Sequence, residues 1–408
     1  MTNQNTLDDA YFQRISQALA NAGAYRPTLV LDKQRLDHNI EQLMSVIQRD
    51  FHYRIVAKSL PSLPLLNHIM HATGTHRIMS FHLPFLMYLV EHTPHTDILL
   101  GKPMPVQSAR QFYRWHIQNK KSLFKPESQL QWLVDSVDRL QQYMLLAEES
   151  DTILQINLEI DVGLHRGGFS DRTSFIKALN VITQSDHLKL SGLMGYEAHV
   201  TKIPALLGGH KKAFAKAMES YGEYTDLIQE IMGENALQDL TLNSGGSSTY
   251  PLFSKPTHVN DISTASALVK PTDFDVFTLE LNLPAVFIST PVLKTVTDPD
   301  IPMAKGLSKL MRFLGLLSSK ACFIYGGNWL AEPCYPSGAR RSKVLGHSSN
   351  QEMYDLDKND SISVDDFMFF RPTQSEAVFL QFDDIAVYDN GKIIDWWPVF
   401  QATKTEPT

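Results

Sequence analysis

The chain has 408 residues, of which 43% are hydrophobic and 20% charged, and its formal net charge is −7. That balance suits a soluble globular protein of two or three domains with a large core, and it supplies no basic field for nucleic acid or an acidic membrane surface. Two cysteines, Cys322 and Cys334, are too few for a disulfide framework. The N-terminal MTNQNTLDDAYFQRI lacks the basic and apolar regions of a signal peptide, and no apolar stretch reaches membrane-span length, so a cytoplasmic location is expected.

In chain order, residues 7–22 place Tyr11, Phe12, Ile15, Ala18, Leu19 and Ala22 at helical spacing, with Gly23 as the stop. Short apolar runs then alternate with amphipathic stretches. The runs are TLVLD (28–32), RIVAKS (54–59), HRIMSF (76–81), DILLG (97–101), QWLVDS (131–136), ILQINLEID (153–161), KLSGLMGY (189–196) and DLTLNSGG (239–246). Between them, LDHNIEQLMSVIQRD carries Ile40, Leu43, Met44 and Ile47 on one helical face, and HKKAFAKAMESYGEYTDLIQEIM carries Phe214, Met218, Tyr221, Tyr224 and Ile228.

Continuous apolar strands alternating with helices predict a parallel sheet, and eight such units match one closed (β/α)8 TIM barrel of the α/β class. An open doubly wound sheet has less support, because no G-x-G-x-x-G follows the first strand. After about residue 270 the segments turn strand-like, and YDNGKI reads as a hairpin turn. The expected organisation is an N-terminal helix and lead-in over 1–26, a barrel over 27–275 and a C-terminal β-rich domain over 276–408.

Active sites of such barrels gather at the C-terminal ends of the strands. Those positions hold Lys58, Asp135, Asp161 with the turn Gly163-Leu164-His165-Arg166, then Tyr196 and His199, then Asn243-Ser244-Gly245-Gly246-Ser247-Ser248-Thr249. The NSGGSST stretch, counted here after the eighth strand, has the make-up of an anion nest: glycines let backbone N–H groups converge, and hydroxyls add donors. A plain Gly/Ser turn has the same composition. Arg166 offers a guanidinium for a ring nitrogen or carboxylate, or a surface ion pair. His165 beside it reads as structural. Tyr196 and His199 are acid/base candidates, although a tyrosine with a satisfied hydroxyl is a common core residue. Lys58 is either a strand-end charge or, opposite a phosphate nest and an arginine, the Schiff-base lysine of pyridoxal phosphate.

VAKS, DVGLHRGGF, GLMGYEAH and LNSGGSSTY, in this order and at these separations, resemble the D-threonine aldolase / D-serine dehydratase family. That family stands with alanine racemase among the fold type III pyridoxal phosphate enzymes, and the resemblance covers roughly residues 25–400. It implies a barrel followed by a β-domain, with Lys58 holding the cofactor and Gly245, Gly246, Ser247, Ser248 and Thr249, after Asn243, binding its phosphate. It further implies Tyr196 near cofactor and substrate, Arg166 on the pyridine-nitrogen side, and a homodimer with a small-molecule amino-acid substrate.

One departure concerns metal. Metal-dependent members of the family carry a His-x-Cys or His-x-Asp pair in the last domain, where the metal holds the substrate's β-hydroxyl. Gln374 and Glu376 occupy those positions here, and an upstream histidine-containing element reads Glu352-Met353-Tyr354. A glutamine and a glutamate are a poor zinc pair, so either no metal is expected or a harder ion such as Mg²⁺ or Mn²⁺ on Glu376. DLDKNDSISVDD (355–366) mimics an EF-hand loop, but Asp360 stands where glycine is needed and Asp366 where glutamate chelates, so it reads as a solvated turn.

The expected function is a pyridoxal phosphate-dependent lyase, an aldolase or dehydratase, acting on a D-amino acid with a β-hydroxyl. Lys58, Tyr196, His199 and Glu376 are its catalytic candidates. A racemase needs two bases, such as Lys58 and Tyr196 or a residue of a partner chain. A non-catalytic pyridoxal phosphate-binding protein is the remaining alternative.

Overall fold

The computed structural model describes residues 7–47, 50–119, 121–255, 257–301, 303, 305–314 and 317–401. The first six residues of the N-terminal stretch, Gln48 and Arg49 of the second expected helix, and residues 402–408 of the expected last segment lie outside them.

The first helix, Asp9–Asn21, starts at Asp8, whose carboxylate accepts the Tyr11 N–H at 2.8 Å. The strands that follow are β1 (Thr28–Asp32), β2 (His52–Val56), β3 (Arg77–Ser80), β4 (Asp97–Leu100), β5 (Leu130–Val134), β6 (Leu154–Ile160), β7 (Leu188–Gly195), β8 (Thr241–Ser244) and β9 (Asp261–Thr264). The remaining strands are β10 (Val286–Thr297), β11 (Lys320–Ile324), β12 (Ala331–Tyr335), β13 (Arg340–Arg341), β14 (Met353–Leu356), β15 (Phe367–Pro372), β16 (Asp384–Asp389) and β17 (Lys392–Pro398). Strands β2 to β9 close an eight-stranded parallel barrel, and β9 pairs back onto β2 through Tyr53↔Ile262 and Ile55↔Thr264. The fold is therefore the expected TIM barrel with a mostly stranded sheet after it.

The strand count differs from the sequence reading at both ends. TLVLD is not the first barrel strand. As β1 it lies between β10, antiparallel, and β16, parallel, in the C-terminal sheet. It is buried throughout: Val30 packs with Phe12, Phe287 and Phe369, while Leu29 and Leu31 join the barrel-side core. An apolar run buried on both faces reads alike in either setting. The eighth barrel strand is instead β9, DIST, whose Asp261 and Ser263 turn into the barrel and hide the apolar signature. Every predicted site loop thus follows a barrel strand one lower in number.

Between barrel wall and helices, Leu65, Leu66 and Ile69, Phe175, Leu179 and Ile182, and Tyr221 and Ile228 are buried. Each such aliphatic or aromatic side chain contributes roughly 1.5–3 kcal/mol. The barrel interior is polar at its base. Fully buried Arg54 donates Nε to Asp261 Oδ1 at 2.9 Å and Nη1 to Asp97 Oδ1 at 2.8 Å, and Arg77 donates to Asp261 Oδ2 at 2.8 Å.

The C-terminal sheet runs in the order β13-β14-β11-β10-β1-β16-β17, with β15 pairing β10 and β12. Asn390 and Gly391, at φ +48° and +82°, form the β16–β17 turn read from YDNGKI. Within 355–366, Asp360 and Asp366 accept the N–H groups of Asp357 and Ser363, as in ordinary turns. The sheet meets the barrel mouth through the segment after β15. Arg371 grips Asp275 with two hydrogen bonds of 2.7 and 2.6 Å and donates to Lys270 O, placing the short helix Ser375–Phe379 over the mouth.

Candidate active site

Period-two alternation carries β2 into the site. Arg54 faces the barrel interior, Val56 lines a cleft at the mouth, and Lys58, in a single 3-10 turn Ala57–Ser59, lines the same cleft. The cleft encloses about 660 Å³ of space open to solvent and is also bounded by Phe81, Arg166, Tyr196, Gly245, Gly246, Ser247, Thr264, Ser266 and Glu376. Lys58 Nζ lies 3.6 Å from Glu376 Oε1 and 4.6 Å from the centre of the Phe81 ring. The short helix after β15 thus supplies the carboxylate facing the barrel's amine.

Arg166 sits at the tip of a rigid turn after β6. Asp161 accepts the N–H groups of Gly163 and His165 at 2.9 and 3.0 Å and pairs with the His165 ring at 2.6 Å. The Arg166 guanidinium lies 4.9 Å from the centre of the Tyr196 ring, a cation–π distance. Burial pushes the Tyr196 phenol up, Glu197 adds to this, the Arg166 charge opposes it, and Glu376 adds again. Beneath, burial pushes the Glu159 carboxyl up against the pull of Arg166.

The Gly-rich loop follows β8, the seventh barrel strand, and Thr264 ends β9, the eighth, with Ala265 and Ser266 after it. Loops after strands seven and eight form the usual phosphate place of such barrels. Gly245 takes φ +86°, and a Cβ on Gly246 would meet the Tyr196 ring at 2.7 Å, so glycine lets the loop approach the cleft. The N–H groups of Gly246, Ser247 and Ser266 reach no acceptor among the described residues. Ser247 Oγ lies 3.0 Å from Thr264 Oγ1 and accepts the Ala267 N–H at 3.1 Å, which ties the two loops together. Free amides, hydroxyls and a lysine across the cleft fit a phosphorylated aldehyde such as pyridoxal phosphate.

Not every predicted residue is there. Thr249 turns its hydroxyl to the buried carboxylate of Glu197, because Glu197 lies beneath the loop and collects its inward donors. Ser248 presents its carbonyl to Thr278 Oγ1 at 2.7 Å and does not line the cleft. Asn243 reaches the cleft floor, but its amide is committed to Asp261 O at 3.2 Å and Ser263 Oγ at 2.7 Å. His199 is not a cleft residue: it packs against Gly163, burial holds its imidazole below the usual range, and its Nδ1 has no partner among the described residues. Gln374 donates to Asp273 Oδ2 at 2.9 Å. Among the described residues, no group of three or more His, Cys, Asp and Glu is arranged to hold a metal ion. Glu352 is buried away from the cleft, accepting Tyr354 Oη and the Asn328 N–H.

Sequence reasoning missed Phe81, Glu197, Thr264 and Ser266. Phe81 ends the HRIMSF run, where inward alternation from Met79 points to it. Thr264 and Ser266 were hidden with β9.

Residues 31–262 match the model of the alanine racemase N-terminal domain. Alanine racemase of Helicobacter pylori is 22% identical over 196 residues, 47% of this chain and 48% of that one, so the match spans about half the length of that curated relative. Among solved structures, D-threonine aldolase of Filomicrobium marinum aligns with TM-score 0.69 and 15% identity over 91% of this chain and 94% of its own. D-threo-3-hydroxyaspartate dehydratase of a Delftia species gives 0.69 and 14% over 92% and 97%. Alanine racemase of Clostridium difficile gives 0.65 and 13% over 91% and 98%. At these identities the structures share the fold.

Proposed function

Because the chain belongs to the alanine racemase N-terminal domain family, whose members use pyridoxal phosphate, we propose that it is a pyridoxal phosphate-dependent lyase acting on a D-amino acid with a β-hydroxyl. The observation that carries this reading is an amine and a carboxylate in one cleft, Lys58 Nζ 3.6 Å from Glu376 Oε1. Lys58 would hold the cofactor, the amides of Gly246, Ser247 and Ser266 its phosphate, and Arg166 its pyridine side. The bound cofactor supplies an electron sink for negative charge at the substrate's Cα.

The other tasks fall to the chain. For cleavage, Glu376 takes the proton of the β-hydroxyl as the Cα–Cβ bond breaks. For dehydration, the Lys58 amine moves the proton at Cα and Glu376 gives one to the leaving hydroxyl. Tyr196, protonated, orients the substrate by donating a hydrogen bond. Phe81 and Met79 give the cleft an apolar wall beside the reacting atoms. Gln374 is turned to Asp273, and a glutamine and a glutamate offer zinc neither imidazole nor thiolate, which supports chemistry that does not need zinc.

Racemisation is the second reading, favoured by the names of the curated relative and of one structural neighbour. It needs a base on each face of the substrate. Burial pushes the Tyr196 phenol up and favours its protonated form, which makes it the weaker candidate for the second base, and a partner chain would then supply that base. A homodimer and a reducing compartment complete the proposal. Cys322 and Cys334 are free thiols, and burial pushes Cys322 up to about 12. Among the described residues no helix is long and apolar enough to cross a membrane.

The test is titration of the purified chain with pyridoxal phosphate, then incubation with a panel of D- and L-amino acids, detecting aldehyde, ammonia and enantiomer together. A visible band absent from Lys58→Ala is expected, with aldehyde or ammonia from a β-hydroxylated D-substrate and no loss of rate in EDTA. Failure to take up cofactor overturns the whole proposal. Enantiomer without aldehyde or ammonia selects the racemase, and activity lost to EDTA and restored by Mn²⁺ overturns the metal-free chemistry.

A further inference from the structure

We propose that Glu197 is the positioning residue of the phosphate loop, an inference that rests on the pyridoxal phosphate reading above. Glu197 is completely buried and does not line the cleft. Its carboxylate gathers three donors from one loop. Ser244 Oγ donates to Oε2 at 2.5 Å and Gly245 N–H to the same oxygen at 3.2 Å, while the Thr249 hydroxyl donates to Oε1. Both ends of the 244–249 loop are therefore fastened to one side chain.

This fastening sets the direction of each donor. The hydroxyl protons of Ser244 and Thr249 and the Gly245 amide turn toward Glu197, away from the cleft. Within the loop, Gly246 O accepts the N–H groups of Thr249 and Tyr250 at 3.0 and 2.9 Å. The amides of Gly246 and Ser247 are left over, with no acceptor among the described residues, on residues that line the cleft. Ser244 and Thr249 are fully buried, so without Glu197 their hydroxyls and the Gly245 amide lose their acceptor where water does not reach. The loop then relaxes to find others, and its free amides no longer converge. A carboxylate behind an anion site also repels the anion. The proposal is that organisation of the loop outweighs that repulsion, because the three donors stand between Glu197 and the cleft.

The experiment titrates the full chain with pyridoxal phosphate and, separately, with pyridoxal, which lacks the phosphate, reading the visible band of the lysine-bound ligand. Glu197→Gln keeps the side chain's volume and removes its charge and one acceptor. Thr249→Val removes one donor at constant shape, and Thr249→Ser restores it. Glu197→Gln and Thr249→Val are expected to weaken pyridoxal phosphate by about tenfold, the scale of one buried hydrogen bond, with pyridoxal changed less than about twofold and Thr249→Ser close to wild type. Equal losses for both ligands assign Glu197 a general folding role and overturn the proposal. Unchanged or tighter pyridoxal phosphate in Glu197→Gln overturns it as well, showing that repulsion dominates. A wild-type chain that binds neither ligand overturns the cofactor reading beneath it.

Discussion

At the scale of the residue, the surroundings of Tyr196 bear on the proposed chemistry. Its phenol is pushed above the ordinary tyrosine value of about 10 by burial, with Glu197 and Glu376 adding and Arg166 opposing. A raised value keeps the proton on across the neutral range and beyond it. The difference in phenolate absorbance between wild type and Tyr196→Phe is therefore expected to appear only at pH above that of free tyrosine. A difference appearing well below the ordinary value, near neutral pH, would restore Tyr196 as a base and with it the racemase. The type and place of this residue were legible in GYEAH, since a strand-end tyrosine stands out. Its electrical surroundings were not, because Arg166 and Glu376 come from segments 30 and 180 residues away in the chain.

At the scale of the element, the segment after β15 places Glu376. Its helix, Ser375–Phe379, is only five residues long and too short to be stable alone, so tertiary ties fix it. Arg371 is the main tie, holding Asp275 through two hydrogen bonds and the Lys270 carbonyl through others. Arg371→Ala is expected to lower turnover by about ten- to a hundredfold by letting Glu376 drift, at little cost to cofactor binding. Adding it to Glu376→Gln should then bring no further loss, because both act on one group. Steady-state rates of the two single variants and the double variant check this. Multiplying losses would mean that Arg371 acts by another route. In the sequence this segment, from Glu376 through Phe379, read as strand like the rest of the chain after residue 270. The turn into a helix follows from the contacts of Arg371 and Gln374, which no local pattern announces.

At the scale of the whole molecule, a buried ionic network closes the base of the barrel. Burial works against the charge on Asp261, but Arg54, Arg77 and Asn243 more than offset it and hold its carboxyl below the usual carboxylate range. A group depressed on folding stabilises the fold fully above its unfolded value, about 3.9, and that contribution is lost as pH falls through the folded value. Asp261→Asn takes the carboxylate from Arg54 Nε and Nη2 and leaves it paired with Asp97 through Nη1, and is expected to cost about 3 kcal/mol at neutral pH. The difference from wild type should shrink below about pH 4, as followed by urea unfolding across pH. A difference that stays constant with pH would show that Asp261 contributes through packing alone. By itself the sequence determined the fold class, the strand ends and the lysine, arginine, tyrosine and glycine loop on them, because apolar periodicity and turn chemistry are local. Only the tertiary structure decided that TLVLD leaves the barrel and DIST completes it, since a run buried on both faces carries no mark of its neighbours. It also decided that Glu376 faces Lys58, that His199 and Thr249 face elsewhere, and that Glu197 lies beneath the loop. Those are relations between side chains brought together from distant segments, and closure of the barrel under the sheet is what brings them together.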